Sequence, residues 1–535
     1  MDKNALSRKR FLDLFATLGA MGVLSACGSA QDAGDGADSA TQDDSLADTI
    51  IFSQASEPLS LDPAYIDENE SAKVTVQIYE SLLRFADDSC EAMDGLAYLP
   101  EVSDDGLTYT FQIREGVTFH DGTAFNADAA KQNIDRQLEP NRTDDMPYAQ
   151  LNFGSEEDGT GVESVEAPDD TTLVINLRAA STAFLANLAM CMSSPMVAPS
   201  AFDTAATKPV GTGQYAFVSW SKGSNITLQR YDGYWNPDRA AKTPNLIFTF
   251  IDDGQARVDA LNSGEVDLID GIDGSLAQQV IDAGGLLFPM DGTNINYMAY
   301  NTESETFAEA AARQAVSKAI DVDALVQTLY GDYGTVANSV MPLWMAPYDV
   351  DVEPVGYDPE AAKAECADLG ITTVKCLTYS IPRPYNGSGG EALAEAVKGY
   401  LAEAGVDMQI EVKDWTAFKK ALREGDYDIC FYGWTSDTGD PDNFMSLLAD
   451  ANPAINVARY DNEEYAALVR EANQTPSGDA RDDLYHQCEQ IVASEQPWRV
   501  ISHAKNLLGY GTGVSGFIYH PTAVVFLWNC VKSVS

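Results

Sequence analysis

An alternation of strand and helix patterns in residues 374–436 constrains the fold more than any other feature of this chain. Alternating or β-rich apolar segments are separated by segments whose apolar residues recur at helical spacing. The order is strand, helix, strand, helix and strand, in residues 374–381, 392–401, 406–412, 415–422 and 427–434. Because strands joined through helices pair in parallel, this region is predicted to form a βαβαβ unit.

The loops that follow the first and third of these strands carry opposite charges. Ligands of such sheets bind beyond the carboxyl ends of the strands. Arg383 comes just after the first strand and Asp437 just after the third, so both side chains are expected at one crevice. Tyr385 and Trp434 could line the same crevice, although buried aromatic packing explains both equally well.

The rest of the chain has a more antiparallel character. Short apolar segments, often alternating, are punctuated by Gly, Pro and Asp. Strands are predicted at 107–113, 172–177, 215–220, 226–230 and 247–250, and helices at 308–320, 361–369 and 479–494. The predicted fold class is therefore α/β with mixed sheets.

The charge balance excludes one class of partner. The 535 residues include 82 acidic and 33 basic side chains, which gives a formal net charge of −49. Nucleic-acid binding depends on clustered Lys and Arg, and a chain this acidic is repelled by phosphate backbones. With 45% hydrophobic residues, the composition is that of a folded protein. No nucleic-acid partner is expected.

The N-terminus has the layout of an export signal. Basic residues precede the apolar stretch Leu14 to Leu24, which is too short to span a bilayer comfortably. Leu24 to Cys27 resembles the lipobox of bacterial lipoproteins, which implies a signal peptide over 1–26 and a lipid on Cys27. Residues 27–48 are poor in apolar side chains and are predicted to form a disordered acidic tether. The export route stays open, since residues 7–12 also resemble a twin-arginine signal.

The other cysteines give little guidance about pairing. Seven lie beyond Cys27, and an odd number in an oxidising compartment leaves at least one thiol without an intramolecular partner. Cys90 and Cys191 are candidates for a disulfide. Cys430 lies in an apolar strand pattern and is interpreted as a small core residue.

Signatures of catalysis and of metal binding are mostly missing. GxSxG, HExxH and GxxxxGK[ST] do not occur, and the four histidines are scattered. Residues 211–216 fit a dinucleotide fingerprint on paper but lead into a strand pattern, so they are interpreted as a glycine turn. Asp437, Asp440 and Asp442 could coordinate Ca²⁺, but their spacing departs from the EF-hand pattern. Neither a metal nor a cofactor is predicted.

A family resemblance extends over about residues 50–532. Its motifs are Leu107–Phe111, Arg114–Gly122, Pro209–Gly213, Tyr234-Trp235, Arg313–Ala315 and Ala319–Asp321. With these motifs the chain resembles the solute-binding lipoproteins of the peptide and nickel class, which are extracytoplasmic receptors of ABC importers. The motifs are specific for the family but not for the ligand.

Two further segments are more selective. Gly433–Phe444 and Arg383–Asn386 are similar to the dipeptide-binding member of that family. There, an aspartate of the first motif holds the peptide ammonium and the arginine of the second holds the terminal carboxylate. The resemblance implies these roles for Asp437 and Arg383. The interval between them is one residue longer here, and Gly387–Gly390 replaces a less flexible stretch, which leaves the length and identity of the ligand open.

The resemblance also implies the architecture. A two-lobed periplasmic-binding-protein fold of type II is expected, in its large three-domain variant with mixed sheets and a hinge. The expected bounds are 49–73, 209–292 and 508–535 for domain I, 74–208 for domain II, and 293–507 for domain III. Closure of the lobes about the hinge is the expected motion.

The function implied by the resemblance is that of a receptor without catalytic activity. It would capture short peptides, preferably dipeptides, outside the membrane and deliver them to ABC permease transmembrane subunits that work with cytoplasmic ATPases. A monomer held to the membrane only by the lipid on Cys27 is expected. Two alternatives stay open: the same fold could bind a metal chelate such as nickel, glutathione or another amino-acid derivative, or the protein could be a secreted hydrolase.

Overall fold

The computed structural model describes residues 46–143, 145–156, 159–342, 345, 352–380, 382–450, 452–453 and 455–534. The predicted signal peptide, Cys27 and most of the predicted tether lie outside these ranges. Of the helices within them, none has both the length and the apolar character that a membrane span requires.

Strands and helices alternate along most of the described chain. The strands are β1 (Thr49–Gln54), β2 (Leu83–Phe85), β3 (Ala92–Asp94), β4 (Glu101–Val102), β5 (Thr108–Gln112), β6 (Val162–Glu166), β7 (Thr172–Leu177), β8 (Tyr215–Ser221), β9 (Asn225–Arg230), β10 (Asn245–Phe250), β11 (Leu268–Ile269), β12 (Leu286–Asp291), β13 (Asn294–Tyr300), β14 (Gly334–Val336), β15 (Thr373–Tyr379), β16 (Asp407–Lys413), β17 (Ile429–Thr435), β18 (Trp498–Tyr510), β19 (Val514–Ser515), β20 (Ile518–Tyr519), β21 (Val525–Phe526) and β22 (Val531–Lys532). The helices are α1 (Asn69–Ile78), α2 (Ala127–Asp135), α3 (Ala149–Phe153), α4 (Phe184–Ala189), α5 (Gly254–Asn262), α6 (Gly274–Asp282), α7 (Ala310–Lys318), α8 (Val322–Tyr330), α9 (Pro359–Asp368), α10 (Gly390–Glu403), α11 (Trp415–Glu424), α12 (Asp442–Met445), α13 (Glu463–Gln474) and α14 (Asp479–Glu495).

The long strand β18 is shared by two halves of the main sheet. The strand order is β16-β15-β17-β13-β18-β11-β1-β10-β9-β8, and β12 and β14 also pair with β18. The first half of β18 pairs with β13 and β14, whereas the second half pairs with β11 and β12. We call the half with β1 and β8 to β12 the first lobe and the half with β13 to β17 the second lobe.

The βαβαβ unit forms the outer part of the second lobe. β15 pairs in parallel with both β16 and β17, which confirms the predicted strand direction. α10 and α11 are the intervening helices. β15 ends at Tyr379, earlier than the predicted end, since Pro382 and Pro384 have no N–H to donate to a ladder.

The sheet of the second lobe is covered on both faces. All seven residues of β13 are buried. Tyr297 and Ala299 join an aromatic cluster on one face, while Met298 and Tyr300 join an aliphatic cluster on the other. A sheet with both faces packed leaves the ends of its strands as the accessible part, and this places a ligand site at a strand edge.

Two chain crossings connect the lobes. One is the segment 292–294 and the other is β18, where Ile501 packs in the second lobe and Leu507 in the first. The Asn294 side chain fastens the crossings together: its amide donates to the Ala504 carbonyl at 2.8 Å and its oxygen accepts from the Ala504 N–H at 2.7 Å. The predicted domain bounds and the closing motion stay predictions.

The first lobe has the predicted antiparallel character. β8, β9 and β10 pair antiparallel, and a separate four-stranded antiparallel sheet has the order β4-β5-β7-β6. Gly211 and Gly213 precede β8, and a Cβ on either glycine would collide with the backbone of Ile78. The interpretation of this motif as a turn of close backbone approach is confirmed.

The end of the predicted tether needs a correction. Leu46 forms a bridge with Ser533, and the Ala47 N–H donates to the Lys532 carbonyl at 2.8 Å. The composition of residues 46–48 predicts a tether, because their side chains offer little to bury. Their backbone nevertheless pairs with the C-terminal segment, and composition does not reveal such pairing.

Candidate functional site

Arg383 lies in a loop that is fixed by Asn386. The backbone groups of the two residues pair in both directions, at 3.0 and 2.8 Å. The buried Asn386 side chain accepts from the Tyr330 hydroxyl at 2.9 Å and donates to the Tyr379 hydroxyl at 3.0 Å. This anchoring places Arg383 beyond the carboxyl end of β15, as its sequence position predicts.

The guanidinium of Arg383 has N–H donors that no described residue uses. Its central carbon lies 4.1 Å from the centroid of the Trp415 ring, a cation–π contact. Among the described residues, its Nε is buried without a hydrogen-bond partner and the side chain forms no ion pair. Stacking therefore holds the group in place, while its planar fork stays available for an anion.

A second cation lies beside the same indole. α11 begins at Trp415, where the Asp414 side chain caps it by accepting from the Ala417 N–H at 2.9 Å. One turn later, the Lys419 ammonium donates to the Tyr432 hydroxyl at 2.6 Å and lies 5.9 Å from the Trp415 centroid. The sequence predicts a helix over residues 415–422, and no motif singles out Trp415 or Lys419 as a ligand contact. The rule that ligands bind beyond strand ends would have found both, because α11 follows β16 directly.

Tyr385 and Trp434 are placed differently from each other. Tyr385 is only 4% exposed, and its ring lies so close to Gly433 that a Cβ there would collide with it. Its hydroxyl is buried with no hydrogen-bond partner among the described residues. Trp434 is half-buried and donates from Nε1 to the Asn443 side chain at 2.7 Å. The structure therefore places Tyr385 within the aromatic packing, and a ligand contact for either residue stays a prediction.

Asp437 follows β17 and reaches the first lobe. The residue is 8% exposed, and its carboxylate accepts a hydrogen bond of 2.5 Å from the hydroxyl of Tyr148. Burial raises the pKa of Asp437 to about 6; the Tyr148 hydrogen bond opposes this shift and the negative charge of Asp67 adds to it. Tyr148 packs against the first-lobe cluster that contains Ile66 and Met190. No motif pointed to Tyr148, because it comes from a segment without a regular pattern.

Two thiols of the first lobe lie within electrostatic reach of Asp437. Burial raises the pKa of Cys90 to about 12, and the charge of Asp437 adds to the shift. The pKa of Cys191 is raised for the same two reasons. Both cysteines are free thiols in the structure, so the candidate disulfide between them is not formed.

The other carboxylates of the Asp437 loop have protein partners. Asp440 forms a bidentate ion pair with Arg481, at 3.0 and 2.8 Å. Asp442 accepts from the Ser446 hydroxyl. Within the described ranges, no three His, Cys, Asp or Glu side chains are arranged to hold a metal ion. The Ca²⁺ interpretation of this loop therefore has no support from the geometry.

Comparison with known proteins identifies the family of this chain. The family model of the bacterial extracellular solute-binding proteins, family 5 Middle, matches residues 91–456. The heme-binding protein A of Haemophilus influenzae is 31% identical and the alignment covers 93% of this chain and 95% of that protein. The dipeptide-binding protein of Escherichia coli is 28% identical, with 89% and 93% covered.

A solved structure agrees with these relatives. The periplasmic binding protein DppA from Helicobacter pylori, in complex with the peptide STSA, superposes with a TM-score of 0.78 at 25% identity and covers 92% of this chain and 99% of its own. The chain therefore belongs to the bacterial extracellular solute-binding proteins, family 5. The resemblance stated from the sequence and the α/β fold class with mixed sheets are confirmed.

Proposed function

We propose that this protein is the receptor of an ABC importer that captures short peptides, preferably dipeptides, outside the membrane. The observation that carries the proposal is the placement of Asp437 and Arg383 beyond the carboxyl ends of two parallel strands of one sheet. A carboxylate at one strand end, and at another a guanidinium that forms no ion pair with the described residues, suit a zwitterion.

The chemistry follows from the two ends of a free peptide. Consecutive residues advance by about 3.5 Å, so the charged ends of an extended dipeptide are separated by about 7 Å. The ammonium binds the Asp437 carboxylate, and the terminal carboxylate binds the Arg383 fork in a bidentate manner that Lys cannot reproduce. Peptide side chains fill wetter space and contribute less.

Named relatives support this ligand class. The Escherichia coli relative is named a dipeptide-binding protein, and the Helicobacter pylori structure holds a peptide. Other relatives are named for heme and for glutathione, so a metal chelate, glutathione or another amino-acid derivative is the alternative ligand on the same fold.

The surroundings of three histidines support a receptor without catalytic activity over a secreted hydrolase. His120, His503 and His520 each hydrogen-bond to a backbone carbonyl, as structural imidazoles do. Burial lowers the pKa of His120 and of His503 to about 4, so both stay neutral near pH 7.

The proposed setting is the outer face of the cell membrane. Lipid on Cys27 anchors a monomer, which delivers its ligand to the transmembrane subunits of a permease driven by cytoplasmic ATPases. This setting extends the family assignment and the N-terminal sequence pattern. Palmitate labelling of the wild type and of Cys27→Ser tests the anchor: label that enters both forms equally removes Cys27 from this role.

Calorimetry with capped and free dipeptides tests the proposed recognition. The wild type should bind Ala-Ala, and it should bind N-acetyl-Ala-Ala and Ala-Ala-amide more weakly by about two orders of magnitude or more. Asp437→Asn and Arg383→Ala should each weaken the binding of Ala-Ala by the same factor. One charge is then left unpaired in a closed cleft, at a cost of about 3 to 5 kcal/mol.

Two exposed residues of the second lobe serve as controls, Asp461→Asn and Arg470→Ala. Both should bind Ala-Ala like the wild type. Undiminished binding of the acetylated peptide would remove Asp437 from its role, and undiminished binding by Arg383→Ala would move the carboxylate site elsewhere. Nickel-histidine and glutathione, titrated in the same series, decide between a peptide and the alternative ligands.

A further inference from the structure

Two neighbouring cations of the second lobe have no carboxylate partner among the residues that the structure describes. Acidic side chains outnumber basic ones by 82 to 33, and ion pairs engage basic residues throughout both lobes, as at Lys73, Arg136 and Arg481. Within the described ranges, Arg383 and Lys419 form none. Both are only partly exposed, so water alone does not solvate them fully.

The two cations share one aromatic ring. The Arg383 guanidinium carbon lies 4.1 Å and the Lys419 Nζ 5.9 Å from the centroid of Trp415, so they are at most 10.0 Å apart, the sum of these distances. Side chains of a helix lean toward its N-terminus. Lys419 is in the second turn of α11, so its ammonium lies at the level of the first turn, beside Trp415 and the strand ends.

The hydrogen-bond donors around Trp415 are more numerous than one ligand carboxylate can use. Lys419 has three N–H donors, and its hydrogen bond within the described residues goes to the neutral hydroxyl of Tyr432. The Nε of Arg383 and the buried hydroxyl of Tyr385 have no partner there. A dipeptide with an uncharged side chain at its C-terminus offers one carboxylate, which the Arg383 fork already occupies in the proposed binding mode.

We propose that the ligand carries a second carboxylate, on the side chain of its C-terminal residue, and that Lys419 binds it. The ligand class is then a short peptide that ends in Asp or Glu. This inference rests on the proposed peptide function. Four bonds of about 1.5 Å separate the two carboxyl carbons of a glutamate, which sets them about 5 Å apart when extended. That spacing fits two cations at most 10.0 Å apart, with one carboxylate on the Arg383 fork and the other at Lys419.

Calorimetry with Ala-Glu and Ala-Gln isolates the second charge, because the two side chains have nearly the same shape. The wild type should bind Ala-Glu about ten- to a hundredfold more tightly, as expected for one charge-assisted hydrogen bond. Glu-Ala and Gln-Ala place the same pair at the other position and should bind alike. Lys419→Met keeps an unbranched apolar side chain of similar length without the charge and should abolish the preference, so that Ala-Glu and Ala-Gln bind this variant within about threefold of each other.

Lys420→Met is the matched control. Lys420 is the next residue on the same helix, and its side chain is 76% exposed beside Glu424. This variant should keep the preference. Thermal unfolding of both variants shows whether they are folded, and Lys419→Arg, which retains the charge, should keep a preference if Lys419→Met is too unstable to measure.

The outcomes separate this inference from the function on which it rests. If the wild type binds Ala-Glu and Ala-Gln equally, the inference of a second carboxylate on the ligand is wrong, although the proposed peptide function stands. A preference that survives in Lys419→Met overturns the assignment to Lys419. If the wild type binds none of the peptides, Ala-Ala included, the proposed function fails and this inference fails with it.

Discussion

The loop after β15 and the loop after β17 lie at the same edge of the second-lobe sheet but use their polar groups in opposite ways. After β17, Asp440 is paired with Arg481 and Asp437 with Tyr148. After β15, Arg383 stacks on Trp415 and has donors without partners among the described residues. The comparison teaches that charge alone does not mark a binding residue. Among the described residues, Arg481 has a carboxylate partner and Arg383 has none, which leaves Arg383 for the proposed ligand.

The largest expected effect separates these two arginines by stability. Arg481→Met should lower the free energy of unfolding by about 3 to 5 kcal/mol, because the Asp440 side chain, only 12% exposed, is left without its partner. Arg383→Met should change it by less than about 1 kcal/mol, since no protein charge is abandoned. Urea unfolding of both variants measures the difference. Similar losses in the two variants would show that Arg383 is also a structural residue.

The next effect is a pH dependence of stability that comes from Asp437. Its pKa is raised from an ordinary value of 3.8 to about 6, so between these values the folded state holds a proton that the unfolded state has lost. The contribution of Asp437 to the free energy of unfolding therefore falls by about 2 to 3 kcal/mol as pH rises from about 4 to about 6.

Asp437→Asn removes that contribution. Its unfolding free energy, measured relative to the wild type without ligand, should rise across the same window and stay level above about pH 7. A constant difference between the two proteins at every pH would contradict the assignment.

Binding should show a smaller pH effect at one end of the site only. The peptide ammonium requires an ionised Asp437, so the affinity for Ala-Ala should fall about tenfold between pH 7 and pH 5, as a group with a pKa of about 6 predicts. Arginine keeps its charge throughout this range. Calorimetry at both pH values should therefore show the tenfold change in Arg470→Ala but not in Asp437→Asn. An equal pH effect in both would place its origin outside Asp437.

The smallest effect concerns the contact from the first lobe. Tyr148→Phe removes the donor that orients the Asp437 carboxylate and should weaken Ala-Ala binding about three- to tenfold. The pKa of Asp437 should also rise further, because the lost hydrogen bond opposes its upward shift. The pH at half-maximal affinity should move up accordingly. Tyr98→Phe, at an exposed position of the first lobe, is the control. A loss of affinity without this move in pH would assign Tyr148 a packing role only.

The sequence predicted those parts of the fold in which apolar residues recur at the spacing of a helix or a strand. Periodicity predicted the parallel strands of the βαβαβ unit, and the strand-end rule placed Arg383 and Asp437. It could not predict Tyr148, because a contact with a residue 289 positions away has no local signal. Nor could the sequence decide whether Tyr385 is buried, because the ring of Tyr385 packs against Gly433, which lies on β17.

The shared strand β18 has a consequence for how the protein can be divided. Its 13 residues complete the sheet of the second lobe at one end and that of the first lobe at the other. A single cut between Ser502 and Lys505 would not separate the lobes, because the segment 292–294 still joins them. If the piece from Lys505 onward then dissociated, β11 and β12 would lose the neighbouring strand with which they pair. Such open edges recruit other chains. The first lobe thus depends on the C-terminal part of the chain, and a fragment that ends before Lys505 should aggregate although it contains β1 to β17.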